Sequence, residues 1–124
     1  FQLPPKWKVN LERLDHFLNL LPTDHRFAFE FRDHTWNIAE VYRLLERHNC
    51  AYCQYDLAGY QSPQRVTADF VYIRLHGPGD TSKNWKLGQT VARATKMKDK
   101  MSTSILITTK KRMQLKMGRN YAPY

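Results

Sequence analysis

Apolar positions in the first eighty residues fall into two periods, and the period switches where one element should give way to the next. Between residues 10 and 21 they recur at helical spacing, with Leu11, Leu14, Phe17, Leu18 and Leu21 on one stripe. Asn10 is suited to cap the first turn, and Pro22 to end the run. After the turn at Thr23-Asp24-His25 the period shortens to two. Phe27, Phe29 and Phe31 alternate with Ala28, Glu30 and Arg32, the pattern of a strand with one aromatic face. Helical spacing returns with Ile38, Val41, Leu44 and Leu45, predicting a helix that starts at Thr35 or Asn37. Asn37 and Glu40 fit a capping box in which Asn stands in for Ser or Thr. A second strand is predicted from Tyr52 to Asp56, running into the turn-like Leu57-Ala58-Gly59-Tyr60 with Pro63 in the loop beyond. A third runs from Phe70 to His76 and is closed by Gly77-Pro78-Gly79.

The order helix, strand, helix, strand, loop, strand is the rhythm of a parallel α/β protein. The connection from Gly59 to Asp69 is short for a crossover, so at most one helical turn is expected there. Polar residues recur in the C-terminal halves of the strands: Glu30 and Arg32, Gln54 and Asp56, Arg74 and His76. In a parallel sheet or barrel that is the end where ligands bind. Such a set can hold a phosphate or a metal. Arg32 and Arg74 offer planar forks for an anion, with Gln54 as a further ligand contact. Asp56 or Glu30 is the candidate base or metal ligand, and His76 the candidate acid, base or ligand. The same charges can instead satisfy one another inside a small barrel, as Glu30–Arg74 or Arg32–Asp56.

Composition narrows the class. A chain of 124 residues is one domain at most, and a core drawn from residues 1–80 alone is marginal. No apolar run is long enough to cross a bilayer and no signal-peptide pattern is present, so a cytoplasmic location is the default expectation. The opening Phe1-Gln2-Leu3-Pro4-Pro5 lacks an initiator Met and reads like the end of a strand, so the chain is expected to be a fragment. Cys50 and Cys53 have redox-motif spacing, but the pair follows a helix and enters a strand, which sends the two side chains to opposite faces. With His48 they still fall short of four zinc ligands, and two buried structural thiols are expected.

Charge divides the chain. Residues 1–80 carry nine Lys/Arg and ten Asp/Glu, and residues 81–124 carry eleven and one, so the formal +9 belongs to the last third. A genuine basic tail there could neutralise phosphates without sequence preference, although Trp85, Tyr121 and Tyr124 are sparse for a stacking surface. A solvated tail with no partner is the blander alternative.

Several stretches resemble a known family. FAFEFRDHTW (27–36), AYCQYDLAGY (51–60) and TADFVYIRLHGPG (67–79) are similar to the YecE-like family, domain of unknown function 72. The resemblance covers residues 1–79 and is strongest at Glu30-Phe31-Arg32, Trp36, Asp56, Thr67-Ala68-Asp69 and Arg74-Leu75-His76-Gly77. It implies a TIM-barrel-like fold of roughly twice this length, of which the chain would hold about four of eight strand/helix units. Residues 1–3 would end the fourth strand, and 27–32, 51–56 and 70–76 would be the fifth to seventh. No reaction is established for the family, so the resemblance implies a fold and a site. The expected function is a barrel site for a small anionic, phosphate-bearing ligand, most concretely metal-assisted phosphoester hydrolysis, with the cofactor left open.

Beyond Gly79 the chain departs from the family, which continues into a helix and an eighth strand reading much like DVYIYFDND. Shifting the presumed codons by one base lets residues 102–111 be read as VYIYFDNDEK, and acidic codons then reappear as Lys codons. Residues 81–124 are therefore expected to be out of frame or poorly ordered, an irregular C-terminal third after a partial barrel domain at 1–80. A partial barrel also exposes sheet edges, so self-association or poor solubility is expected, and a chain without function is the limiting alternative.

Overall fold

The leading apolar stripe winds as its spacing predicts. In the computed structural model, which describes residues 1–57, 60–75, 104–109 and 115–117, helix α1 runs Leu11–Asn19. Asn10 is extended, and its side-chain oxygen accepts from the Arg13 N–H at 2.8 Å, satisfying one of the orphan donors of the first turn. Leu14 and Leu18 are buried. Phe17, on the same stripe, stays partly exposed and meets the Phe1 ring edge-on at 5.0 Å.

The second helix starts differently from the expectation. Asp33 caps a 3-10 turn at His34–Trp36, and α2 follows at Ala39–Arg47 with Ile38 at its N-cap and no side-chain cap bond. Asn37 is not part of a capping box, because its side-chain oxygen accepts from the Tyr52 hydroxyl at 2.9 Å. A tertiary donor has displaced the local one.

The described residues form six strands: β1 (Ala28–Phe29), β2 (Ala51–Leu57), β3 (Tyr60–Gln61), β4 (Phe70–Leu75), β5 (Ser104–Thr109) and β6 (Leu115–Met117). Their order is β1-β2-β4-β5-β6, with β3 attached to β2. The pairs β1–β2, β2–β4 and β4–β5 are parallel, while β3 and β6 fold back antiparallel. β1 is shorter than the predicted 27–32, but its line is prolonged by a parallel bridge between Gln2 and Glu30. There the Glu30 N–H donates to the Phe1 carbonyl at 2.8 Å and the Leu3 N–H to the Glu30 carbonyl at 2.9 Å. Parallel strands in sequence order, with helices packed on one face, make a partial TIM-barrel-like α/β fold.

The expected short connection between β2 and β4 carries no helix among its described residues. Residues 62–67 cross the helix-side face of β2 as an irregular segment, tied down where the Thr67 hydroxyl donates to the Cys50 carbonyl at 2.7 Å. The same oxygen accepts from the Tyr52 N–H at 2.8 Å. β5 lies beside β4, within the 102–111 stretch read as an eighth strand. The Gly77-Pro78-Gly79 closure and most of residues 81–124 lie outside the described residues.

The core sits between α1, α2 and one face of the sheet. Phe29, Phe31 and Tyr52 point into it from the strands, against Leu14, Leu18, Val41, Leu45 and Trp36. Full burial of each such side chain contributes about 1.5–3 kcal/mol. A smaller cluster on the same face joins Val71 and Ile73 of β4 to Ile105 and Ile107 of β5. Among the described residues, no helix is long and apolar enough to cross a membrane.

Candidate functional site

What the helices do not cover is set by strand parity and register. Alternation places Glu30 and Arg32 on the face opposite Phe29 and Phe31. Neighbours in register share a face, and β1–β2 aligns Ala28 with Ala51 and Phe29 with Tyr52. Cys53 and Tyr55 therefore lie on the Glu30 side. The β2–β4 register aligns Cys53 with Tyr72 and Tyr55 with Arg74, and β4–β5 aligns Arg74 with Thr108. In the hairpin, Leu57 faces Tyr60, which brings Tyr60 to this inner face too.

Glu30 is the centre of the arrangement, with 2% of its surface exposed. Arg74 Nη1 donates to Glu30 Oε2 at 2.9 Å and to Gln2 Oε1 at 2.8 Å. Arg32 Nη1 stands 3.7 Å from Glu30 Oε1. The guanidinium-bearing side chains remain 34% and 20% exposed at Arg74 and Arg32, so one buried carboxylate positions two partly open cations. The expected Glu30–Arg74 pair is formed. Around it, Tyr55 donates its hydroxyl to the Phe31 carbonyl at 3.0 Å. Burial pushes the Tyr55 phenol up to about 12, with Tyr60 adding and Arg32 opposing, so it acts as a fixed neutral donor. Burial also pushes the Cys53 thiol up, reinforced by the Glu30 charge, which makes it a poor nucleophile. Tyr72 and Thr108 hydroxyls meet at 3.0 Å farther along the face.

Gln54 and Asp56 do not join this group. Both have the parity of Tyr52 and so lie on the helix-side face of β2. There Gln54 Nε2 donates to the Arg65 carbonyl at 3.1 Å, and Gln61 Nε2 approaches Asp56 Oδ2 at 3.4 Å. The expected convergence of all three strand pairs is corrected by register: Phe29 aligns with Tyr52, so the β2 residues that share a face with Glu30 are Cys53 and Tyr55 rather than Gln54 and Asp56. The pairing of Arg32 with Asp56 is accordingly replaced by its approach to Glu30. His76 lies outside the described residues. Gln2, Tyr55 and Tyr60 were missed in the sequence because their signal is the pairing between segments (the Gln2–Glu30 bridge and the β1–β2 and β2–β3 registers), which alternation within one strand does not contain.

A second polar cluster has a structural task. Asp33 is buried and accepts from the Thr35 hydroxyl at 2.7 Å and the Thr35 N–H at 3.0 Å. Lys8 Nζ lies 3.2 Å away, and the Thr35 oxygen accepts from the Val9 N–H at 3.0 Å. These hydrogen bonds, the Thr35 hydroxyl first, hold the Asp33 carboxyl down at about 2. The cluster fastens the N-terminal loop to the end of β1, helped by Trp36 Nε1 donating to the Trp7 carbonyl at 2.7 Å.

Both cysteines are free and buried, Cys50 in the helix-side core and Cys53 beside Glu30. Among the described residues, no group of three or more His, Cys, Asp or Glu side chains gathers as a metal would require.

The family described as "Protein of unknown function DUF72" matches residues 1–115, well past the Gly79 at which the resemblance read from sequence stops. A DUF72 family protein of Thermotoga maritima has a similar structure, with a TM-score of 0.63 at 20% identity, over 87% of this chain and 48% of that one. A DUF72 family protein of Enterococcus faecalis gives 0.59 at 15% identity, over 87% and 51%. The chain thus spans about half the length of these structural relatives. No curated protein was found to match it. With the family matched along nearly its whole length, the chain belongs to the DUF72 family of proteins of unknown function.

Proposed function

We propose that the inner face binds a small phosphate-bearing anion through Arg32 and Arg74, with Glu30 positioning both guanidiniums. The observation that carries this reading is the two-to-one ratio of cations to carboxylate at a buried anchor, near the C-terminal ends of parallel strands. A structural ion pair needs one arginine; among the described residues the second puts the cations of this group in excess, with both side chains partly exposed. Glu30 serves here as a positioning group, while Asp56 and Gln54 have no part because they occupy the other face. Catalysis would require groups from outside the described residues, for which His76 remains the candidate.

Calorimetric titration with inorganic phosphate tests the reading. Arg32→Gln is expected to weaken binding about tenfold, as loss of a charge-assisted hydrogen bond should. Arg43→Gln, an exposed arginine on α2, serves as the control for general charge and is expected to change nothing. No binding by the chain, or equal loss in both variants, overturns the reading.

The positive charge of residues 81–124 has a different origin in this reading, a shift of frame. One shifted base accounts together for the gained lysines, the lost acids and the departure of residues 102–111 from a DVYIYFDND-like sequence. Sequencing the source DNA tests it: an alternative frame that encodes no such strand ends the idea, and leaves a nucleic-acid contact and a solvated tail as the readings of the basic segment.

A further inference from the structure

We infer that the anion bound at Arg32 and Arg74 is carried by a planar ring, and that Tyr60 is the surface on which this ring stacks. The inference rests on the anion site proposed above and adds the class of ligand: an aryl or nucleoside phosphate.

Placement of Tyr60 follows from the edges of β2. At Asp56 one edge of β2 is taken by Leu75 of β4, and Gln61 of β3 pairs at the same residue. A strand has two edges, so β3 occupies the one that β1 leaves after Phe29, beside Phe31 and Arg32. The Leu57–Tyr60 register then turns Tyr60 toward the inner face, where Arg32 and Arg74 lie. Two further bonds fasten this hairpin: the Ser62 N–H donates to the Tyr55 carbonyl at 3.0 Å, and the Tyr55 N–H to the Ser62 hydroxyl at 2.8 Å.

The ring itself is supported on one side and open on the other. Tyr55, locked by its bond to the Phe31 carbonyl, lies against Tyr60 with ring centroids 5.8 Å apart and planes 41° from parallel. Tyr60 is nevertheless 49% exposed. A tyrosine in a short hairpin whose only task is packing would bury its ring. This one keeps it accessible on the face that carries Arg32 and Arg74, the combination that suits a π-face attached to a phosphate. Stacking tolerates any flat ring, so the recognition is of ring plus anion rather than of a particular base.

Titration of the full chain with methyl phosphate and with phenyl phosphate tests this. The expected result is roughly tenfold tighter binding of phenyl phosphate, a ratio that falls to near one in Tyr60→Ala and persists in Tyr60→Phe. Far-ultraviolet circular dichroism of both variants checks that the hairpin change leaves the fold intact. Adenosine monophosphate, run alongside, separates the sources: a further gain over phenyl phosphate assigns a nucleotide, and parity assigns a simple aryl ester. Equal affinity of the intact chain for methyl and phenyl phosphate overturns the ring inference and leaves the anion site standing. Failure of every phosphate to bind overturns both, and a ratio unchanged in Tyr60→Ala removes Tyr60 as the platform.

Discussion

The same strands present two faces of opposite character, and the difference separates what stabilises this fold from what could act in it. On the helix side Phe29, Phe31 and Tyr52 are sealed beneath α1 and α2. One step along the chain, Glu30 and Arg32 turn the other way into a polar inner face with Arg74, Tyr55 and Tyr60. Apolar burial is non-directional and tolerant of detail, so the first face can be made from any well-packed set. A buried carboxylate is not tolerant: it needs its cations at fixed positions. The inner face is therefore the one on which a given substitution should affect specificity before it affects folding.

The largest effect expected from this comparison is on the helix side. Phe29 is 1% exposed and sits among Phe1, Phe17 and Phe31, so Phe29→Ala should cost about 3–5 kcal/mol of stability by denaturant unfolding. A cost below about 1 kcal/mol would mean that this face is not what holds the chain together.

An intermediate effect is expected from the inner face. Arg74→Gln leaves Glu30 buried with a weaker share of positive charge, and Glu30→Gln removes the shared anchor of two guanidiniums. Each should cost about 1–3 kcal/mol, discounted because Arg74 is one-third open to solvent. The double variant Glu30→Gln/Arg74→Gln should be less destabilised than the two singles added together. Strict additivity would show that the pair is not coupled and that the inner face is not organised around Glu30.

The smallest effect concerns pH. The Asp33 carboxyl lies below its ordinary value in the folded chain, at about 2. Its contribution to stability is therefore complete above its unfolded value of roughly 4, and is lost as pH falls toward 2. Asp33→Asn should melt lower than the parent chain at pH 7, and the gap should close between pH 4 and pH 2. A gap that is constant over that window would place the stabilising role elsewhere in the cluster.

Much of the fold was legible in the residues. Leu14 and Leu18 marked the buried side of α1, and Asn10 its cap, because helical period and capping are local properties. The alternation of Phe29 with Glu30 was equally plain. The start of α2 was misread because Asn37 is claimed by Tyr52 from across the core, a donor with no local signature. The candidate site was half legible. Glu30, Arg32 and Arg74 were picked out and do converge, whereas Gln54 and Asp56 were grouped with them and lie on the other face.

That last error marks the boundary between sequence and tertiary structure. Each strand's alternation was determined by its own residues, as were the buried stripes of the helices, the family and the division of charge along the chain. Which alternating set of β2 meets the helices was decided only when Tyr52 packed with Phe31 and Tyr42, and the register with β1 then sent Tyr55 to join Glu30. A period is local chemistry, but the phase between two strands is set by the hydrogen bonds and side chains that join them. The site depends on phase, so it became visible only in the folded chain.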